Sequence, residues 1–447
     1  MLKNVLKGDT RSKIIIKNIF GSFLLKGLSI LITLLLVPVT VKLLDQEKYG
    51  VWLTLFSIVS WFNMMDVGIG NGFRNKFTEA SALGDILACK QLMQTFYAIM
   101  GLVSLGIFLV YLPIHQFLNW NSILNISNHF NENASLIVLW TFGLFCLQLY
   151  FKNITTVLLA LHKTMLSNLL FMLGNVLALG GIFLLNYFHH ISLLSIALIY
   201  MIAPNIVFLL TTIILFRTSF KKFNPFPLKI FSAKLNSFVG LGFKFFFIQI
   251  TTIIMFSSDN MIITQLFGPA EVTPYNIVYR LFFSLYSCFT IIMVPFWAAF
   301  GDAHVKDDKI WIIKALKKLL LVWVGFTITI IVVLLLSKEI INLWVGNLVT
   351  VPFRLSVQLA IFAIILSWTA IFSYYLNGVG KIKMQLYVSI FQCVVNIPFA
   401  IFLAKSFGMG TTGIMLSTNI NLGIAAILLS VQVYKLINNK AHGIWNQ

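Results

Sequence analysis

Acidic residues are scarce in this sequence: 13 Asp and Glu stand against 32 Lys and Arg, for a formal net charge of +19 over 447 residues. Charged residues of both signs together reach only 10%, where a soluble domain carries roughly a quarter. A chain that is also 59% hydrophobic cannot bury its apolar surface in one water-soluble core, which excludes an ordinary globular domain. Cysteine is scarce too. Cys89, Cys146, Cys288 and Cys393 show no metal or redox spacing, so thiol-ligated metal and CxxC redox chemistry are excluded and all four read as small core residues. No Walker loop, Ser/His/Asp set or Cys/His set is present, and the histidines are scattered apart from His189-His190. Nothing here calls for a metal, a cofactor or coupled ATP. A membrane-embedded polymerase or acyltransferase would need a reactive group in a sizeable loop or a buried His. The external loops hold no Arg and the expected spans hold no His, so an enzyme is not expected.

Long apolar runs are what the sequence has instead. A helix needs about 20 apolar residues to cross the hydrocarbon, roughly 30 Å at ~1.5 Å per residue. Twelve runs meet that need, at 18–44, 49–72, 92–112, 135–161, 165–187, 192–216, 237–266, 274–299, 319–336, 353–377, 384–404 and 411–434. They exceed strand length and do not alternate, so the expected fold is all-α and polytopic, with about twelve transmembrane helices. The basic segment Met1 to Lys17 leads into an apolar run too long for a signal h-region and without a cleavage site, which reads as an uncleaved first span.

The positive charge sits in alternate connections. With the N-terminus inside, 23 of the 32 Lys and Arg fall in cytoplasmic segments and 5 in external segments or at the external ends of spans. The positive-inside rule then places both termini in the cytoplasm and explains the basic balance by topology and anionic lipid, without nucleic acid. The one long external loop, Pro113 to Ala134, is Asn-rich and carries no Lys or Arg. The longest basic internal connection, Arg217 to Asn236, lies near the midpoint and reads as a short amphipathic piece on the membrane surface. It divides the chain into an N-terminal six-helix lobe, 1–216, a cytoplasmic linker, 217–236, and a C-terminal six-helix lobe, 237–447.

The halves echo each other. Leu43-Leu44-Asp45-Gln46-Glu47-Lys48-Tyr49 resembles Leu266-Phe267-Gly268-Pro269-Ala270-Glu271 followed by Tyr275. Leu161-His162-Lys163-Thr164-Met165 matches Val379-Gly380-Lys381-Ile382-Lys383-Met384 at an offset of 218. Six spans return the chain to its starting side, so these are parallel repeats, a plan suited to alternating access.

Ionisable groups inside spans are costly and therefore functional candidates. The cations are Lys26, Lys152, Lys244 and Arg280, and the clearest acids are Asp66 and Asp259. The three lysines lie about 10–14 Å from the expected cytoplasmic ends, at the limit of snorkelling, so either the interface or a cavity accounts for them. Lys26 and Lys244 share the 218 offset. Asp259 is about 22 Å along its helix from Lys244 and needs another partner, a proton or a sodium ion. The glycines of Asp66-Val67-Gly68-Ile69-Gly70-Asn71-Gly72 match no phosphate loop and read as close helix packing.

The first span's ending Leu43-Leu44-Asp45-Gln46-Glu47-Lys48-Tyr49-Gly50, followed by Asp66-Val67-Gly68-Ile69-Gly70-Asn71-Gly72-Phe73-Arg74-Asn75-Lys76, resembles Wzx-type O-antigen and polysaccharide flippases. These belong to the multidrug/oligosaccharidyl-lipid/polysaccharide (MOP) exporter superfamily. The resemblance implies a MATE-like two-lobe fold in the bacterial inner membrane. It implies a substrate, an undecaprenyl-pyrophosphate-linked oligosaccharide of O-antigen or capsule, moved from the cytoplasmic to the periplasmic leaflet. It also implies a cationic cavity between lobes, with basic residues on the first, fourth, seventh and eighth spans. Lys26, Lys152, Lys244 and Arg280 occupy those spans, with Lys where forked Arg contacts are the family's habit at three of them. A polysaccharide polymerase of the same pathway is a candidate partner beside membrane lipid. The runner-up is a MATE-type drug or cation antiporter, which would need an acidic cavity.

Overall fold

The structure, a computed structural model, describes residues 10–63, 65–127, 130–161, 163–231 and 258–446. Among the described residues there is no strand. The helices are α1 (Thr10–Asn63), α2 (Met65–Ala82), α3 (Ile86–Phe117), α4 (Trp120–Ile123), α5 (Ala134–Phe151), α6 (Asn153–Ala160), α7 (Thr164–Tyr187) and α8 (Leu193–Arg217). There follow α9 (Asp259–Phe267), α10 (Val272–Val305), α11 (Lys309–Leu335), α12 (Ser337–Val345), α13 (Phe353–Val379), α14 (Lys383–Ile401) and α15 (Gly410–Ile437). Ten stretches of the described chain are long and apolar enough to cross a membrane. The first of them, Leu24–Phe62, holds two of the expected crossings, because α1 breaks at Asp45, where φ is 68°. The expected crossing 237–266 has only its end, α9, among the described residues. The protein is an all-helical, multi-pass membrane protein.

The chain forms two compact units. One comprises residues 1–44 and 58–250, the other residues 45–57 and 251–447. The segment Asp45–Ser57, on the N-terminal side of the sequence midpoint, thus belongs to the second unit.

Local sequence explains the breaks. Asp45 accepts a hydrogen bond from the Lys48 amide at 2.9 Å and so caps the helix that restarts after the kink. Asp85, Asn133 and Asp308 do the same for α3, α5 and α11, and Ser192 with Ser195 forms a reciprocal capping box on α8. Gly380 ends α13 in the left-handed region at φ 74°, where a side chain would be strained.

In the first unit the core is aromatic. Phe73 of α2 stacks on Phe96 of α3 at 4.1 Å, and Phe77, Tyr97, Phe208, Phe216 and Phe223 are buried around them. Polar clasps join helices that apolar packing alone would leave free to slide. Asn175 of α7 donates to Ser29 Oγ and Thr33 Oγ1 of α1 at 3.1 and 3.2 Å, and Thr40 meets the Tyr200 hydroxyl at 3.0 Å. The second unit has its own core, built on Phe289, Met293, Phe300, Tyr375 and Leu376. There Asn396 Oδ1 of α14 accepts from Ser417 and Asn421 of α15 at 3.3 and 3.0 Å.

The two turns matched at offset 218 behave alike. Lys163, between α6 and α7, lies over the ring of Phe220, in the segment after α8. Lys381, between α13 and α14, donates to the carbonyl and side chain of Asn446, in the segment after α15.

Four expectations change. α3 runs over Ile86–Phe117 instead of 92–112, which brings His115 into a span. That His is buried and saturated: Trp120 Nε1 donates to its Nδ1 at 2.9 Å, the Tyr111 hydroxyl lies 2.7 Å from the same nitrogen, and Ser135 lies 3.0 Å from Nε2. It fastens α4 in the long loop. The link 337–352 contains a helix, α12, absent from the expectation. Of the 217–236 connection, Lys221–Phe223 form a short 3-10 turn with exposed lysines and a buried Phe223, residues 224–231 are not helical and their backbone is held to α3, with Gln94 donating to the Pro227 carbonyl at 2.9 Å, and 232–236 lie outside the described residues. Of the four cysteines expected in the core, Cys89 and Cys146 are buried, Cys393 is half-buried and Cys288 is exposed.

Within the second unit, the two segments recognised as repeats touch. Gln46 donates to the Ala270 carbonyl at 3.1 Å, Thr273 donates to the Gln46 carbonyl at 2.7 Å, and Gly50 packs directly on Pro269. A Cβ at Gly50 would stand 1.7 Å from the Pro269 carbonyl oxygen, whereas one at Gly27 would meet nothing within 4 Å. Gly50→Ala should therefore destabilise the protein by about 1–3 kcal/mol or more, and Gly27→Ala should be neutral or slightly stabilising. Thermal unfolding of the detergent-solubilised variants checks this; equal melting of the two would refute the close contact.

Candidate functional site

A polar site that contains a buried carboxyl lies at the start of α9, in the second unit. Asp259 opens α9 and is 5% exposed. Its Oδ2 accepts a hydrogen bond from the Tyr275 hydroxyl of α10 at 2.5 Å, and the sulfur of Met415 on α15 lies 3.3 Å from that hydroxyl. Among the described residues its Oδ1 has no partner and no cation pairs with the carboxyl. A buried carboxylate with one donor and one bare oxygen favours uptake of a proton or a small cation over remaining as an isolated charge.

A second polar ladder runs beside it. Asn260 donates to Ser57 Oγ at 2.6 Å and accepts from Asn276 Nδ2 at 2.7 Å, while Thr54 and Thr264 meet at 2.6 Å. These bonds tie Asp45–Ser57 to α9 and α10. The short link through Gly268 and Pro269 folds α10 back along α9, which is why residues sixteen apart, Asp259 with Tyr275 and Asn260 with Asn276, become partners.

The cations are distributed over both units. Lys26 is on α1 and exposed; Lys152 is half-buried at the break between α5 and α6, where its carbonyl accepts from both the amide and the hydroxyl of Thr155. Arg280 is half-buried on α10. Among the described residues no carboxylate pairs with Arg280. Lys244 lies outside the described residues, as does the side chain of Asp66, which sits on α2. No group of three or more His, Cys, Asp or Glu capable of holding a metal occurs among the described residues.

Tyr275, Met415, Asn260, Asn276 and Ser57 were not singled out from sequence as site residues. Their signal was present: Asn and Ser inside apolar runs are costly unless paired. Tyr275 stood in the repeat match, and only the packing of α9, α10 and α15 shows which acid it serves.

No protein-family model matches the chain. A Yersinia pseudotuberculosis protein named for O-antigen export is 24% identical over 388 residues, 82% of this chain and 84% of that one. A Salmonella typhimurium protein named as an O-antigen transporter is 21% identical over 273 residues, 60% of this chain and 61% of its own length. Among solved structures, a multidrug resistance MATE family transporter of the MOP superfamily superposes with a TM-score of 0.74 at 14% identity, covering 94% of this chain and 95% of that one. The chain has the fold of the MOP-superfamily transporters. The resemblance drawn from the N-terminal motifs points to the same proteins, and the relatives are named as transporters, not enzymes. On the MOP fold, α9, α10 and α15 of the second unit supply the Asp259 site.

Removing the single donor tests that site. Tyr275→Phe leaves both oxygens of Asp259 without a partner and should lower stability by about 1–3 kcal/mol, whereas Asp259→Asn keeps an acceptor for Tyr275 and should stay near wild type. Wild-type melting of Tyr275→Phe in detergent would show that the bond is not needed.

Proposed function

We propose that this protein is a flippase that moves an undecaprenyl-pyrophosphate-linked oligosaccharide, an O-antigen or capsule repeat unit, across the bacterial inner membrane by alternating access of two six-helix lobes joined by the 217–236 linker. Both termini face the cytoplasm, and a polysaccharide polymerase of the same pathway is the partner that would take the product.

The observation that carries this reading is Arg280, a half-buried residue that has no carboxylate partner among the described residues. A half-buried, permanently charged residue with no carboxylate beside it among the described residues is suited to an anion brought by a substrate. Pyrophosphate carries several negative charges that must be met away from bulk water. Lys26, Lys152 and Lys244 are assigned the same task as Arg280. The similarity to proteins named for O-antigen export and transport supports the glycan part of the substrate.

Asp259 is assigned to coupling, with Asp66 as the second candidate. A carboxyl with one bare buried oxygen can be neutralised by a proton or sodium ion, and its occupancy can then bias the helices it joins. The same buried acid is what a drug or cation antiporter would use, and the similarity of fold to a MATE multidrug transporter keeps that second reading in view.

Complementation of a flippase-deficient strain separates the two. Lys152→Ala and Arg280→Ala should each reduce glycan export roughly ten- to hundredfold at unchanged protein level, since a buried charge-assisted bond is worth ~1.5–3 kcal/mol, and Lys152→Arg should keep part of it. Asp259→Asn should abolish coupled export. Normal export by the two alanine variants would remove the cationic site, and restored drug resistance without glycan export would favour the antiporter. Reporter fusions after Phe216 and Lys318 should read cytoplasmic, and those near Asn125 and Pro269 periplasmic; an external reading at the linker would break the two-lobe arrangement.

A further inference from the structure

At the end of the second unit opposite Lys381 and Asn446 lies a cleft of about 750 Å³, within the roughly 300–1,000 Å³ of small-molecule sites. Its walls are Phe267 and Glu271 on either side of the link that joins α9 to α10, the start of α13, and the link between α14 and α15. In that last link Gly408 and Gly410 are left-handed, at φ 64° and 59°, and a Cβ at either would meet nothing within 4 Å, so the space above their backbone is open. The floor belongs to the packed interior of the unit. Thr411, Met415 and Asn419 follow one another at one-turn spacing on α15 and all are buried. Asn419 Nδ2 donates to both the carbonyl and Oε1 of Gln358 at 2.8 Å, which fixes that amide with Nε2 as its open end.

The polar side chains of the cleft are not used up by the protein. Glu271, Arg354 and Thr411 make no side-chain hydrogen bond or ion pair among the described residues, and Gln358 Nε2 donates to no described group. Glu271 and Arg354 carry opposite charges and line one cleft, yet they do not pair. No described side chain caps the first turn of α13 or of α15, so backbone donors add to those of Arg354 and Gln358. The apolar part is aromatic. Phe407 is 65% exposed, and its ring is set edge-on to Phe402 at 5.3 Å.

This set of groups discriminates among ligands. An anion would satisfy Arg354 and the amides but would face Glu271; a cation would do the reverse, and a hydrocarbon chain would leave every polar group unmet. A sugar ring meets them all. Each hydroxyl both donates and accepts, so neighbouring hydroxyls can donate to Glu271 and accept from Arg354 and Gln358 while the C–H face of the ring lies on Phe407.

We propose that this cleft is a saccharide-binding site that holds one uncharged sugar residue of the transported glycan at the external end of the second unit. It rests on the glycan reading given above and adds a contact with the sugar, apart from the cations assigned to the pyrophosphate.

The probe is the O-antigen or capsule glycan of the strain that carries this chain, released by mild acid and cut to short oligosaccharides free of lipid and pyrophosphate. It is titrated calorimetrically into the full chain in lipid nanodiscs, where no sugar-headed detergent competes. Glu271→Gln, Arg354→Ala and Phe407→Ala should each weaken binding roughly three- to tenfold. All three residues are exposed, so melting of the variants should match wild type. Absence of binding by wild type, or full binding by the Glu271→Gln/Arg354→Ala double variant, would overturn the site. Displacement of the oligosaccharide by millimolar inorganic pyrophosphate would overturn the choice of a sugar over an anion. A wild-type chain that restores glycan export in the flippase-deficient strain but does not bind the free oligosaccharide loses this cleft alone; one that does neither loses the flippase reading as well.

Discussion

Hydrocarbon offers no hydrogen-bonding partner, and the arrangement of this protein follows from how each polar group in a span meets that condition. The backbone meets it by becoming helical. Isolated hydroxyls meet it by bonding one turn back, as Thr141 does to Ile137 and Thr369 to Ile365. Amides are larger and reach across. Asn175 selects α1 as the neighbour of α7, Asn396 fixes α14 against α15, and Asn260 holds Ser57 on one side and Asn276 on the other. Lipid tails are as apolar as Leu, so these few directed bonds, with close packing at glycine, choose among helix pairings that burial alone would leave nearly equal.

Asp259 is one of the places where the condition is met only in part, and the one among them that carries a carboxyl. Its neighbours among the described residues give one donor, the Tyr275 hydroxyl, and leave the second oxygen bare. An amide in that position would fit as well, and a carboxyl is chemically different only because it can change charge. That difference is the physical basis for assigning it to coupling. Arg280 is the complementary case, a group that cannot change charge, half-buried and without a carboxylate partner among the described residues. One group suits a small cation, the other a large anion, and both lie in the second unit.

Contact between the repeated turns gives the second unit a segment from early in the chain. Asp45–Ser57 belongs with residues 251–447 because Gly50 allows the Pro269 carbonyl to approach and because Gln46, Thr54 and Ser57 each find a partner there. The helix that carries this segment turns at Asp45, whose positive φ and capping carboxylate restart it in a new direction. In both units a lysine in a short helix link touches the segment that follows the unit's last long helix, Lys163 over the Phe220 ring and Lys381 on Asn446.

Composition and the length of the apolar runs by themselves determined the class of protein and nearly all its helices, because the cost of an unpaired backbone in lipid admits one solution for long apolar segments. The kink at Asp45 and the turn at Lys163 could be placed for the same reason, since polar residues interrupt the runs there. Local signals also carried the resemblance and the short list of charged residues inside spans. What they could not supply was pairing. That Tyr275 serves Asp259, that Asn260 bridges Ser57 and Asn276, that His115 is a saturated fastener for α4, and that residues 45–57 join the second unit all depend on contacts between residues from 5 to more than 200 positions apart. A span's sequence states that a polar group needs a partner. Only the packed helices, by bringing one specific donor within about 3 Å of it, decide which partner it has.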